Sequence, residues 1–233
     1  MKLTEKSGMQ SQHINNLQIV AEGFGDFLDN VVFIGGAVAE LYATGPGSEE
    51  IRISEDIDCV IEIGSMKAYN QLERLLEKKG FQHDISGAPI CRWLYKGILI
   101  DIMPTDENIL GFSNRWYLAG ITNKVMYTLP DGKTINIFPT EFFLASKLEA
   151  FLHRGGPDLR QSHDFEDIIY VLDNNPEIRT ILKSCSDPVK DFLKSQFKIL
   201  SARNDISEGI DSALPDSADS DSVEKILSIF RFE

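Results

Sequence analysis

Apolar positions along the chain follow two periods, one typical of buried strands and one typical of amphipathic helices. Short apolar or alternating runs predict strands at residues 31–34, 56–63, 81–85, 90–95, 98–103, 125–129 and 134–138. Apolar residues at helical spacing predict helices at residues 14–28, 37–42, 66–79, 114–121, 140–151, 162–172, 176–183, 188–202, 206–214 and 223–232. The order predicts an α+β fold. A small mixed β-sheet with flanking helices, residues 1–138, would precede a helical C-terminal domain, residues 139–233.

Two segments carry little of either pattern. Residues 1–10 are polar and charged, and we expect a loose arm there. Residues 215–222 are acidic and small, which is typical of a loop or mobile linker. The helix predicted after this linker is strongly apolar on one side, so we expect it to dock back on the body of the protein.

Chemistry-bearing residues concentrate between positions 31 and 63. The first strand ends in Gly35 and Gly36, and the second strand carries Asp56 and Asp58 at its start. Because side chains alternate along a strand, the two carboxylates would point to one face and repel each other. A divalent cation would remove that repulsion. Each motif alone also has a plainer interpretation, a tight turn for the glycines and a solvated acidic surface for the aspartates.

A third carboxylate strengthens the interpretation as a metal site. Asp101 stands within the apolar strand predicted at residues 98–103. An unpaired carboxylate in such a run is costly unless it meets a partner or a metal ion. The sequence therefore predicts that Asp101 joins the other two aspartates on a neighbouring strand.

Composition narrows the class of protein. The chain has 233 residues and a formal net charge of -13, so its overall field repels nucleic acid. No apolar run approaches the length needed to span a membrane, and the start of the chain lacks the apolar core of a signal peptide. Three scattered cysteines argue against a disulfide framework. These features predict a cytoplasmic protein with no membrane partner.

The glycine pair, the aspartate pair and the later aspartate together resemble the nucleotidyltransferase superfamily related to DNA polymerase β. The matching residues are Gly35, Gly36, Asp56, Asp58 and Asp101. The gap between the glycines and the aspartate pair is longer than in the most compact members of that superfamily. We expect the extra residues around 45–50 to form a loop. The resemblance implies that the predicted sheet is a nucleotidyltransferase core.

The second half of the chain is similar to the AbiEii-type nucleotidyltransferases, which include toxins of abortive-infection and toxin-antitoxin systems. The similarity lies in a Lys-Leu-x-Ala helix, an arginine and a His-Asp-x-x-Asp-Ile helix. In this sequence these residues are Lys147, Leu148, Ala150, Arg154, His163, Asp164, Asp167 and Ile168. The whole resemblance covers roughly residues 30–175.

The resemblance implies an enzyme that transfers NMP from an NTP to a hydroxyl acceptor with release of pyrophosphate. Asp56 and Asp58 would bind Mg²⁺, or Mn²⁺, that bridges the triphosphate, and Asp101 would share a second metal ion and help to deprotonate the acceptor. Gly35 and Gly36 would let backbone N–H groups approach the phosphates.

Lys147 would neutralise phosphate charge from the helical side of the site, and Asp164 would orient Lys147 or a metal ion. Asp164 has a second interpretation as a helix cap, a role that Ser162 can also fill. The plainer alternatives for the other two residues are an exposed Lys147 and an Asp167 that pairs with a nearby arginine. Arg52 either contacts the triphosphate, as basic residues in the superfamily often do, or pairs with Glu55.

The acceptor and any partner protein stay open at this point. The acceptor could be RNA such as a tRNA end, a protein side chain or an antibiotic hydroxyl, and an antitoxin could exist. A polynucleotide would have to meet local basic residues, of which Lys147, Arg154 and Arg160 lie close together in sequence. Two other classes remain as alternatives. One is a nucleotide-binding module that has lost catalysis, and the other is a structural or interaction protein.

Overall fold

The computed structural model describes residues 11–45, 51–85, 89–154 and 158–232. The arm expected at residues 1–10 and most of the loop expected around 45–50 lie outside the described residues. Within them, the structure combines one seven-stranded sheet with many helices, so the α+β prediction is confirmed at this level.

All seven predicted strands have a counterpart in the structure. They are β1 (Val31–Ile34), β2 (Asp56–Ile61), β3 (Gln82–His83), β4 (Arg92–Tyr95), β5 (Ile98–Pro104), β6 (Val125–Thr128) and β7 (Thr134–Ile137). Their order across the sheet is β3-β4-β5-β2-β1-β7-β6. β1 and β2 lie near the centre and are antiparallel, whereas β2 and β5 are parallel. The acidic strands β2 and β5 are therefore direct neighbours.

A tight hairpin joins β4 to β5. Its two loop residues, Lys96 and Gly97, both have positive φ, as the type I′ turn of a two-residue hairpin requires. This turn pairs Tyr95 with Ile98 and places Arg92 opposite Asp101. The register of a two-residue hairpin thus decides which side chain of β4 meets the acidic position of β5.

Apart from the short helix α3, which the sequence did not predict, the α-helices lie where the apolar pattern placed them, with shifts at their ends. They are α1 (Gln12–Phe24), α2 (Met66–Lys78), α3 (Glu107–Leu110), α4 (Tyr117–Thr122), α5 (Thr140–His153), α6 (His163–Asn174), α7 (Ile178–Ser184), α8 (Asp187–Ser201), α9 (Ile206–Ala213) and α10 (Ser222–Phe230). Serine side chains cap α1, α2 and α6 by accepting a backbone N–H of the first turn.

Two predictions about helices need correction. The helix predicted over residues 14–28 ends at Phe24, because Gly25 takes a positive φ, and a 3₁₀ helix (Gly25–Asn30) follows. The segment after the glycine pair is a 3₁₀ helix (Gly36–Tyr42) rather than an α-helix. Six of its seven residues are buried, so packing rather than helix propensity holds this short, tighter form.

Helices of the second half pack on one another and on the segment that follows β1. α5 packs against α6, and α6 also contacts the 3₁₀ helix at 36–42. α10 contacts α6, α8 and α9 through buried side chains such as Ile226 and Phe230, as predicted for a docked final helix. The predicted boundary between residues 138 and 139 falls between β7 and α5. Among the described residues, no helix is long and apolar enough to cross a membrane.

Candidate active site

Strand register brings the three predicted carboxylates together. Asp58 of β2 lies directly beside Asp101 of β5, and Asp56 is two residues earlier on the same strand as Asp58. Adjacent residues in register, and residues two apart on one strand, project from the same face of a sheet. Asp56, Asp58 and Asp101 therefore share one face, as the sequence predicted.

Arg92 on β4 neutralises two of these carboxylates. Its Nε donates to Oδ1 of Asp101 at 2.8 Å, and its Nη2 donates to Oδ2 of Asp101 at 2.7 Å. The same Nη2 also donates to Oδ2 of Asp56 at 2.7 Å. These charge-assisted bonds raise the pKa of Arg92 further above its usual range. A single guanidinium thus bridges the acidic residues of two neighbouring strands.

Asp58 differs from the other two aspartates. Its carboxylate makes no direct hydrogen bond or ion pair with any described residue. Burial raises its pKa from 3.8 to about 7, and the charge of Asp56 adds to this effect, while Lys147 opposes it. Of the three aspartates, Asp58 is therefore the one whose negative charge has no directly bound cation among the described residues.

The glycine pair at the end of β1 is required by its neighbours. Gly35 has φ 76°, and a Cβ built there would lie 1.9 Å from Oδ2 of Asp58. A Cβ at Gly36 would lie 2.7 Å from Nη2 of Arg52 and 3.1 Å from Oδ2 of Asp167. A side chain at either position would therefore collide with charged groups of the site.

A buried ion cluster faces the carboxylates from α5 and α6. Nζ of Lys147 lies 2.6 Å from Oδ2 of Asp167 and 3.2 Å from Oδ1 of Asp164. Arg154 binds the other oxygen of Asp164 at 2.6 Å. Burial acts to lower the pKa of Lys147, but the attraction of Asp167, Asp164 and Asp58 outweighs it and raises that pKa. Lys147 therefore stays charged.

The cap interpretation of Asp164 is wrong. Ser162 caps α6 by accepting the N–H of Phe165, and Asp164 is buried with its carboxylate on Lys147 and Arg154. Asp164 is thus in contact with Lys147, while its role in orienting Lys147 or a metal ion stays a prediction. Asp167, the other partner of Lys147, is 1% exposed and also pairs with Arg52, which agrees with the plainer alternative for that residue.

Arg52 does not pair with Glu55. Its Nη2 lies 3.2 Å from Oδ1 of Asp167, and its Nε lies 3.4 Å from Oε2 of Glu166. The side chain is 20% exposed and lines the same cleft as the aspartates. Asp167 thus pairs with both Lys147 and Arg52, which line the cleft, although Asp167 itself is not part of the cleft wall.

A buried histidine supports the segment that enters β2. The backbone N–H of Ser54 donates to Nε2 of His13 at 2.8 Å, so the other ring nitrogen carries the proton in the neutral form. That nitrogen, Nδ1, lies 3.3 Å from Oε1 of Glu40. His13 therefore ties α1 to the backbone just ahead of Asp56.

The three aspartates, Arg92 and the basic residues Arg52 and Lys147 line one cleft of about 570 Å³. Of the eight predicted site residues, seven form its walls, namely Gly36, Arg52, Asp56, Asp58, Asp101, Lys147 and Asp164. Gly35 is not part of the wall but lies directly against the side chain of Asp58. Arg154 also lines the cleft, whereas Arg160 is not part of its wall and pairs with Asp158 and Glu208. The basic group predicted around the cleft is thus reduced to Lys147 and Arg154.

The donor set suits a hard divalent cation. Three carboxylates supply the oxygen ligands that Mg²⁺ and Mn²⁺ prefer, and Asp58 has no partner of its own. The residue types fit such an ion, but their present positions do not: among the described residues, no three His, Cys, Asp or Glu side chains are close enough together to hold a metal ion. Asp56 and Asp101 are engaged by Arg92, so their oxygens already bind a cationic group.

Sequence patterns missed two residues of this site. Arg92 had a signal, because counting back from the Lys96-Gly97 turn places it opposite Asp101. His13 had none, since its contact with Ser54 joins segments 41 residues apart. No protein-family model matches this chain, and no curated protein matches it either.

Proposed function

We propose that the protein is a metal-dependent nucleotidyltransferase that transfers NMP from an NTP to a hydroxyl acceptor, either RNA such as tRNA or a protein. The main support is the meeting of Asp56, Asp58 and Asp101 with Lys147 in one cleft. Several ionisable side chains that converge in one cavity are typical of a ligand-binding or catalytic site.

The metal ion belongs to the proposal. Asp56, Asp58 and Asp101 would hold Mg²⁺ or Mn²⁺, which when bound would neutralise triphosphate charge and activate the acceptor oxygen. Without such an ion, the unpaired carboxylate of Asp58 would repel a triphosphate.

The remaining residues have roles that follow from their contacts. Lys147 is a permanent cation held between Asp164 and Asp167, so its charge is already oriented when the substrate arrives. Arg52 is held on the same wall by Asp167. Gly35 and Gly36 keep side chains away from the turn, so backbone N–H groups there can approach phosphate oxygens. Once its oxygens are free of Arg92, Asp101 would help to deprotonate the acceptor hydroxyl.

A second candidate function is supported by one contact. Because Arg92 already neutralises Asp56 and Asp101, the cleft could bind a nucleotide without a metal ion and without turnover. This describes a binding module that keeps the fold. The two candidates differ in whether a divalent cation enters the cleft.

The experiment that tests the proposed function is a labelling screen. The protein is incubated with Mg²⁺, total RNA, cell lysate and each α-³²P-labelled NTP in turn, and products are separated on denaturing gels. We expect one nucleotide to label a discrete RNA or protein band. The label should disappear with Asp58→Asn and persist with Asp211→Asn, a control at an exposed carboxylate of α9. Equal labelling by Asp58→Asn would contradict the proposal. An abortive-infection role with an antitoxin stays a prediction from the resemblance.

A further inference from the structure

A basic side chain occupies the point at which two of the acidic residues converge. Nη2 of Arg92 lies 2.7 Å from an oxygen of Asp56 and 2.7 Å from an oxygen of Asp101. Nε of Arg92 takes the second oxygen of Asp101. Both oxygens of one carboxylate and one oxygen of the other are therefore bound to a single guanidinium.

A divalent cation shared by the same carboxylates would need this position. Magnesium binds carboxylate oxygens at about 2.0–2.1 Å in a near-octahedral shell. An ion between Asp56 and Asp101 would coincide with Nη2 of Arg92, and two cationic groups cannot occupy one site. Metal binding and the Arg92 contacts are thus mutually exclusive.

We propose that Arg92 is a built-in counter-cation, and that a divalent metal ion binds Asp56 and Asp101 only by displacing its side chain. The inference rests on the metal site of the proposed function. It assigns to Arg92 a role that none of the sequence motifs indicated, which is to hold the acidic residues in place and to set the affinity of the site for metal.

The surroundings of Arg92 permit such an exchange. Its backbone is fixed in β4 by pairing with β5, so only the side chain has to move. That side chain is 22% exposed and forms part of the cleft wall. The Asp58 carboxylate makes no hydrogen bond or ion pair with the described residues and lies beside Asp101, so it could bind an incoming metal ion before Arg92 moves. Rotation of one long side chain into the cleft would then free the other two carboxylates.

The test measures Mn²⁺ affinity by isothermal titration calorimetry, without nucleotide or acceptor. Arg92→Gln removes the competing charge, and we expect it to bind Mn²⁺ about tenfold or more tightly than the wild-type protein. Arg154→Gln is the matched control, because it also removes one positive charge from the same cleft but frees neither Asp56 nor Asp101. It should change Mn²⁺ affinity far less.

Urea unfolding supplies a second reading. In EDTA, Arg92→Gln should be less stable than the wild type, because Asp56 and Asp101 lose their partner. Saturating Mn²⁺ should then stabilise Arg92→Gln more than it stabilises the wild type. If Arg92→Gln does not fold, Arg92→Lys replaces it: lysine keeps the positive charge but cannot reproduce the two-pronged contact with Asp101, so we expect Mn²⁺ binding tighter than in the wild type by a smaller factor.

The outcomes separate the two proposals. If the wild type binds Mn²⁺ and Arg92→Gln binds it no more tightly, Arg92 does not compete with the metal ion and the inference fails, while the metal site stands. If Arg154→Gln tightens binding as much as Arg92→Gln does, the effect is general electrostatics and displacement is refuted. If no variant binds Mn²⁺, the metal-dependent function and the inference both fall.

Discussion

Asp58→Asn should stabilise the metal-free protein, although it removes a group of the proposed active site. In the folded protein the pKa of the Asp58 carboxyl is about 7, whereas the ordinary pKa of an aspartate is 3.8. Between these values the folded state binds more protons than the unfolded state, so stability falls as pH rises and levels off above about pH 7. The difference in pKa corresponds to at most about 4 kcal/mol of unfolding free energy. Asparagine carries no charge and escapes this cost.

The assay is urea unfolding of both proteins in EDTA, followed by circular dichroism at about pH 5 and about pH 8. The stabilisation by Asp58→Asn should grow by roughly 2–3 kcal/mol between these pH values, because most of the cost develops in that interval. Asp211→Asn, at an exposed carboxylate, should show no such growth. A variant that is no more stable than the wild type at about pH 8 would refute the claim that the Asp58 carboxylate is desolvated without a compensating partner.

Three further outcomes follow from the contacts of the site. Gly35→Ala should lower the unfolding free energy by more than the control Gly132→Ala, for which we expect a loss of roughly 1–2 kcal/mol. Both glycines have a positive φ, but at Gly132 no atom lies within 4 Å of the new Cβ. Equal losses in urea unfolding would show that the contact with Asp58 costs nothing. Lys147→Ala should lower single-turnover rate more than nucleotide affinity, and adding Asp164→Ala should cost little more, because the two side chains act as a unit; independent effects of the two substitutions in rapid-quench kinetics would disprove that coupling. RNA binding should weaken only slightly with added salt, since the four cationic side chains that line the cleft already pair with carboxylates. A steep slope in filter binding would reveal a basic surface elsewhere.

Local patterns were sufficient to predict the strands of the site. β1 is buried on all four residues, and β2 carries its two aspartates at the start, as the alternation of side chains required. The register of the β4–β5 hairpin was also available from the two-residue turn. Counting from Lys96 and Gly97 would have paired Arg92 with Asp101.

Other features depend on contacts between distant segments. In the parallel pairing of β2 with β5, each paired position is 43 residues from its partner, and the intervening chain includes α2 and the β3–β4 pair, so no local pattern shows it. Arg52 meets Asp167 across 115 residues, and the sequence offered the nearer Glu55 as an equally reasonable partner. The 3₁₀ form of residues 36–42 is likewise decided by packing around the glycines and not by helix propensity.

The central claim is that the cleft transfers a nucleotidyl group, and the position of the label in the product tests it most directly. The protein is incubated with Mg²⁺, acceptor and one NTP labelled either at the α- or at the γ-phosphorus. The account predicts that α-label enters the acceptor while γ-label leaves as pyrophosphate, in equal amounts. Transfer of γ-label to the acceptor would identify a kinase, and release of label without any transfer would identify a nucleotide hydrolase. Either result would contradict the account.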